Sequence, residues 1–205
     1  MNYRMIKEQV LKLLNQYTIA GTPVAATYNN QQDYLNRIPS LCNDAMLEIA
    51  TTVRKLPAMM TLENGEEFGD MVRYSMPEDF YQFSSGDTLA TSDGHILHTN
   101  RFMLHGKQYL LVPKEEAGNH VFVYYRYPRL LAEDPADDEM LDGDPETHFA
   151  IPFYVASLLA AHDDPYLCSL LMNKYEDKLR KMMPKISAEG HAVQDAYGNT
   201  WGGAY

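Results

Sequence analysis

The chain has 205 residues, a formal net charge of −11, and a composition that is 45% hydrophobic and 11% aromatic, with 15 tyrosines and 12 methionines. That suffices for a real core in one large domain or one domain with an insert. The acidic balance excludes wrapping nucleic acid by phosphate neutralisation, although it suits a wall past which DNA slides without sticking. The two cysteines, Cys42 and Cys168, are too few for a disulfide framework or a thiolate metal site. They read as small core hydrophobes in a reduced compartment. No signal-peptide pattern and no apolar run of spanning length is present, so a soluble protein made in a cytoplasm, with no membrane partner, is expected.

In chain order, "YRMIKEQVLKLLNQY" (3–17) places Ile6, Val10, Leu13, Leu14 and Tyr17 at helical spacing. Gly21 and Pro23 then break the pattern. "QDYLNRIPSLCNDAMLEIATTVRKL" (32–56) carries a second apolar stripe from Tyr34 to Val53. Pro39 inside it marks either a kink or the first turn of a new helix.

From about 57 to 130 the period shortens. "FYQF", "GHILH", "RFMLHGKQYLLVP" and "NHVFVYYRYP" are β-rich and separated by turn signals. Gly106 in "LHGKQ" supplies the positive φ of a tight hairpin turn, and "SDGH" is a second candidate turn. Both alternating faces of "HVFVYYRY" are apolar or aromatic, so this strand is buried on both faces or covered by a neighbour. "SMPED" (75–79) predicts a helical turn with acidic residues at its N-terminal end.

Residues 133–146, "EDPADDEMLDGDPE", read as a solvated, mobile linker. Their spacing does not match a Ca²⁺ loop. "THFAIPFYVASLLAAHDD" and "PYLCSLLMNKYEDKLRKMM" restore helical periodicity (147–163 and 165–183). The last residues hold four glycines, which exclude a stable helix at the end.

"HDDP" is the one place that resembles a reactive cluster. His162, Asp163 and Asp164 are consecutive, whereas ligands on one helix face recur every three or four residues. Asp164 followed by Pro165 instead spells a helix start, with the aspartate as cap and the proline where no N–H is needed. His95 and His98 alternate across a strand and do not converge. No phosphate loop, nucleophile elbow or cysteine–histidine pair is present. Neither catalytic residue, metal nor cofactor is therefore expected, and a small metal-dependent enzyme built on His162, Asp163 and Asp164 is the least favoured alternative. Tyr197, Trp201 and Tyr205 recur every four residues in the tail. They read as aromatic anchors on an arm that docks into a partner, or as a tail packed back on its own domain.

The segments "YLNRIPSLCNDAMLEIATTVRKL", "YSMPEDFYQF", "VYYRYPRLL" and above all "IPFYVASLLAAHDDPYLCSLLMNKYEDKL" resemble the head–tail adaptor (connector) proteins of tailed bacteriophages, over about residues 3–183. The resemblance implies a structural protein of the virion neck, made in the bacterial host cytoplasm. Copies, twelve in such families, would form a ring on the portal protein, extend the channel for double-stranded DNA and offer a platform to a distal neck or tail protein. It also implies that a C-terminal segment grips the portal, a role that fits Tyr197, Trp201 and Tyr205. A stopper or tail terminator, mostly β, is the alternative neck component, and four helical segments argue against it.

The fold class expected is α+β, an antiparallel helical bundle with a β-rich insert between the second and third helices. The bundle comprises residues 1–56 and 145–184, the insert 57–132, the acidic linker 133–144 and an extended arm 185–205.

Overall fold

The computed structural model describes residues 1–15, 30–63, 65–83, 89–91, 96–97 and 102–182. Helix α1 spans Tyr3–Leu13 and buries Tyr3, Ile6, Val10 and Leu11 on one stripe. Its free backbone N–H groups are satisfied from two sides. Asn2 Oδ1 accepts from Met5 N at 3.0 Å, as an N-cap should. Tyr3 N and Arg4 N donate instead to the carbonyls of Glu139 and Asp137, at 2.8 and 3.0 Å.

Those two bonds change the status of the acidic segment. Its composition predicts a linker free in solvent, but it lies along the start of α1. Asn2 and Met140 form an antiparallel bridge, Lys7 pairs with Asp137, and Leu141 is buried in the helical core. Composition describes the side chains, which mostly face water, while the backbone is committed to the helix terminus.

Helix α2 spans Asn30–Thr52 and runs through Pro39 without a break into two helices. Helices α3 (Ile151–Ala160) and α4 (Pro165–Met182) follow the β region. A 3-10 turn, Thr147–Phe149, precedes α3.

Between α2 and α3 the described residues form nine strands in two antiparallel sheets. The first sheet contains β1 (Leu56–Leu62), β4 (Phe80–Phe83), β5 (Leu89–Thr91), β6 (Ile96–Leu97) and β9 (His120–Arg126). Its centre is β9, which pairs along its whole length with β1 and, on its other edge, with β4 and β5. The second sheet runs β2 (Glu66–Phe68), β3 (Met71–Ser75), β8 (Tyr109–Pro113), β7 (Met103–His105). Gly106, with φ +61°, starts the three-residue turn between His105 and Tyr109, in agreement with the hairpin read from "LHGKQ". The helical turn expected at 75–79 is instead a tight non-helical turn, closed by Phe80 N to Pro77 O at 3.0 Å.

The α+β composition and the position of the strands are as expected, but the antiparallel helical bundle is not. The helices lie at the two ends of the chain, and α1, α2 and α4 make their main contacts with α3. The physical reason lies in α3 itself. It is only 10 residues long, about 15 Å, and buries Ile151, Pro152, Val155, Ala156, Ser157, Leu159 and Ala160. A helix apolar nearly all round is a central post rather than one stave of a bundle.

The strands are likewise more than a decoration on a bundle. They enclose a second core of Leu62, Val72, Tyr74, Phe80, Phe102, Leu110, Val112, Phe122 and Tyr124. Phe122 and Tyr124 stack at 5.2 Å between ring centroids, and Phe80 and Phe83 meet them edge-on or tilted.

Candidate functional site

The "HDDP" corner is a helix junction. Asp164 Oδ1 accepts from Leu167 N at 2.9 Å, and the Asp164 carbonyl accepts from Cys168 N at 2.9 Å. Asp164 is thus the N-cap of α4, with Pro165 at its first position. Asp163 accepts from the Tyr34 hydroxyl at 3.0 Å, tying the corner to α2. His162, Asp163 and Asp164 are all exposed and share no ligand geometry. Among the described residues, no three His, Cys, Asp or Glu side chains gather where a metal ion could be held. Cys42 is buried and its thiol is pushed up to about 12 by that burial, while Cys168 is half-buried, and both are free thiols.

Two surface features have more to offer. The first is the outer face of the first sheet. Inner-face residues of β9 (His120, Phe122, Tyr124) are buried, whereas Val121, Val123 and Tyr125 are only partly covered. Across the ladder, Thr61, Met59 and Pro57 stand opposite these three, so the six side chains share one face. Met59 is 65% exposed. The Lys55 ammonium lies 5.3 Å from the Tyr125 ring centroid. Further along, Tyr81 and Tyr127 pair at 5.0 Å, with Lys107 beside Tyr127. The two-sided apolar pattern of "HVFVYYRY" predicts a strand covered on both faces, whereas only its His120, Phe122 and Tyr124 side is buried. One side fills the core and the other is apolar toward the surface.

The second feature is an open cleft of about 820 Å³ between α1, the N-terminal half of α2 and residues 131–137. Its lining is mostly polar, with Gln32, Asn36 and Ser40 on the α2 side, Glu133 and Asp134 opposite and Lys7 paired to Asp137 at one end. Asn43 holds the opposite side in place. Its side-chain oxygen accepts from Leu131 N at 2.8 Å and its amide donates to Leu131 O at 3.0 Å. A side chain on α2 thus takes the part of a neighbouring strand for one residue. Nothing in the local sequence spacing could have disclosed a bond between positions 88 apart.

Between cleft and sheet sits a clamp. Asp142 accepts from Arg126 Nη2 at 2.9 Å and also from Nη1, so the pair is bidentate. It accepts further from Arg129 N at 2.7 Å and Gly143 N at 2.9 Å. The Arg126 guanidinium holds the Asp142 carboxyl far below the usual carboxylate range, with the two backbone N–H groups helping and partial burial opposing. Gly143, at φ +117°, turns the chain directly after this carboxylate in a backbone region that favours glycine.

Two buried histidines lie outside these features. His148 Nδ1 is 2.9 Å from the Met1 amino nitrogen, and its Nε2 is 3.3 Å from Asp142 O. His120, 1% exposed, meets the Tyr74 ring edge-on at 5.6 Å and lies beside the Glu116 backbone. Burial lowers the pKa of both. For His120 the neighbouring Glu116 backbone and carboxylate oppose it; for His148 the amino-terminal charge reinforces it.

The proposed anchors Tyr197, Trp201 and Tyr205 lie outside the described residues, as do His95, His98 and the "SDGH" turn. No protein-family model matches the chain, and no curated protein matches its sequence.

Proposed function

We propose that this protein is a structural subunit of a bacteriophage neck, a head–tail adaptor. On this reading it assembles as a ring on the portal protein, continues the DNA channel and presents a platform to the next neck or tail component. The observation that carries it is the α3–α4 hairpin. The segment with the strongest resemblance to adaptors folds as two helices joined at a capped corner, with α3 as the post on which the other helices pack. Its three polar residues cap, tie and face solvent, which is the work of a scaffold.

The acidic balance supports the same reading, because a channel wall that repels phosphate lets DNA pass. Double-stranded DNA is then a passing cargo and not a specific ligand. The arm 185–205, with Tyr197, Trp201 and Tyr205, is the proposed portal grip. The test is to mix purified portal with the full chain and view the complex by electron microscopy. A ring of density on the portal is expected, and it should be lost when residues 185–205 are deleted while the helical signal stays. Unaltered binding by the truncated chain would remove the arm's role, and no portal binding by the full chain would remove the function.

One observation favours a second reading, a stopper or tail terminator, which are mostly β. Nine strands in two sheets with their own aromatic core are a larger β component than a helical adaptor requires. Repeating the mixture with portal that already carries an adaptor tests it: density that joins only the far end of that adaptor, and never bare portal, would select it.

A further inference from the structure

We propose that the open edge of β1 is the dock for the C-terminal arm of the same chain, which pairs there as an added strand. One residue defines that edge. Among the described residues β1 pairs only with β9, from Leu56↔Arg126 to Leu62↔His120. Pro57 has no N–H to exchange with its partner Tyr125, so it occupies a non-hydrogen-bonded position of that ladder. Backbone directions alternate along a strand, so Met59 and Thr61 share its orientation. Their N–H and C=O groups point away from β9, and neither residue makes another backbone bond among the described residues. Both are exposed, Met59 by 65%. Such a row of donors and acceptors is a template for a further strand, and native chains keep it covered or blunted.

The occupant is identified by where α4 ends. Helix α4 runs alongside α2 in the same direction. Asp163, just before its start, accepts from Tyr34, and Tyr175 donates to Glu48 at 3.1 Å. From Tyr175 to Met182 α4 rises about 10 Å, and from Glu48 to Thr52 α2 rises about 6 Å. Helix α4 therefore ends level with the turn that leads from α2 into β1. The chain beyond Met182 sets out from the sheet end of the helical core, and from Met182 to Tyr197 it can span about 50 Å.

The arm's sequence suits a strand on such an edge. From Val193 to Tyr205 every apolar or aromatic side chain larger than alanine stands at an odd position, and alanine, glycine, Gln194 and Thr200 fill the even ones. That is the two-residue period of a strand, and no proline follows Pro184 to interrupt a ladder. Paired beside β1, the odd positions set Tyr197 or Trp201 next to Met59 on the outer face, where sulfur and aromatic ring attract. The docked arm also withholds the edge from other chains. On the neck reading, and only there, portal and β1 compete for one arm.

Amide exchange by NMR on the full chain, at two protein concentrations, tests the dock. The reference is a full-length variant with Tyr197→Ser, Trp201→Ser and Tyr205→Ser, which alters no described residue. Met59 and Thr61 amides should exchange at least about tenfold more slowly in the wild type than in that variant. Ala58 and Met60, whose N–H groups face β9, should not differ. Trp201 is the only tryptophan, so its emission reports the arm directly. Met59→Pro removes one outward N–H in a register that already accommodates Pro57. It should shift that emission to the red and open Trp201 to acrylamide. Protection at Ala58 and Met60 shows whether β1 stays paired in this variant; if it does not, the serine variant alone decides.

Equal exchange of Met59 and Thr61 in both chains overturns the proposal. So does protection that grows with protein concentration, because the arm would then come from a second copy. Trp201 emission unmoved by Met59→Pro, with β1 still paired, overturns it as well. With the dock upheld, Met59→Pro should bind portal about tenfold more tightly, the gain from releasing an arm about 90% docked. Portal binding that ignores this variant would remove the competition and leave the dock. No portal binding by any form, with protection intact, would remove the neck function and leave the dock.

Discussion

Replacing Asp142 with alanine should loosen the junction between the β region and the helical core. In the folded chain this carboxylate accepts two N–H bonds from Arg126 and one each from the backbone of Arg129 and Gly143. The Arg126 and Asp142 side chains are 27% and 19% exposed, so the pair is neither dry nor a surface pair. Breaking a fully buried pair costs about 3–5 kcal/mol, and an exposed one at most about 1. Water can reach part of the orphaned guanidinium, which sets the expected loss at about 2–3 kcal/mol. For a chain of this size that is about 5–10 °C in Tm.

The assay is urea unfolding followed by circular dichroism, at pH 7 and at pH 3. Asp142 has a folded pKa below its unfolded value of about 4. Its contribution is therefore complete above that unfolded value and fades as pH falls through the folded pKa. The gap between wild type and Asp142→Ala should be widest at pH 7 and narrower at pH 3. A variant within about 0.5 kcal/mol of wild type at pH 7, or a gap that widens on acidification, would refute the reasoning.

Three further outcomes follow from particular residues. His120 and His148 have folded pKa values below their unfolded value of about 6.5, so wild-type stability should fall as pH drops below that value. His120→Phe should remove part of that slope, read as a flatter dependence of the urea midpoint on pH; an unchanged slope would show that His120 does not carry it. Asn43→Ala removes both bonds to Leu131 and should cost about 2 kcal/mol in urea unfolding, with faster amide exchange at Leu131 as the local reading. Asp164→Ala takes the cap from α4 and should cost about 1 kcal/mol; a loss of bound metal on this change would instead revive a metal site at the corner.

What the sequence disclosed was local. The Asp164–Pro165 cap, the Gly106 turn and the strands "FYQF" and "HVFVYYR" are patterns whose cause lies within a few residues. The arrangement of those pieces was another matter. Four amphipathic segments suggested a bundle, yet the short, nearly all-apolar α3 gathers the other helices around itself. Strands β1 to β3 were hidden because "LPAMMTL" does not alternate and "EEF" reads as loop; β1 and β3 also find partners far along the chain, in β9 and β8. The acidic segment misled for a similar reason. Charge reported where its side chains point, while its carbonyls had been recruited to the start of α1. Of the two surface features, the sheet face left a trace in its two-sided apolar pattern. The cleft left none, because α1, α2 and residues 131–137 meet only after folding.

The pairing of Leu56 with Arg126 has a bearing on how such a chain can change. These are the first residue of β1 and the last of β9, so the chain enters and leaves the β region through one rung of a ladder. Partners on an antiparallel rung stand about 5 Å apart, a gap that a two-residue turn bridges. Everything between them could be gained, exchanged or lost as a cassette, at the closure cost of a hairpin and without moving the helices that receive its ends. The chain thus holds its β region by two adjoining ends, where one surface could be refitted and the helical scaffold left alone.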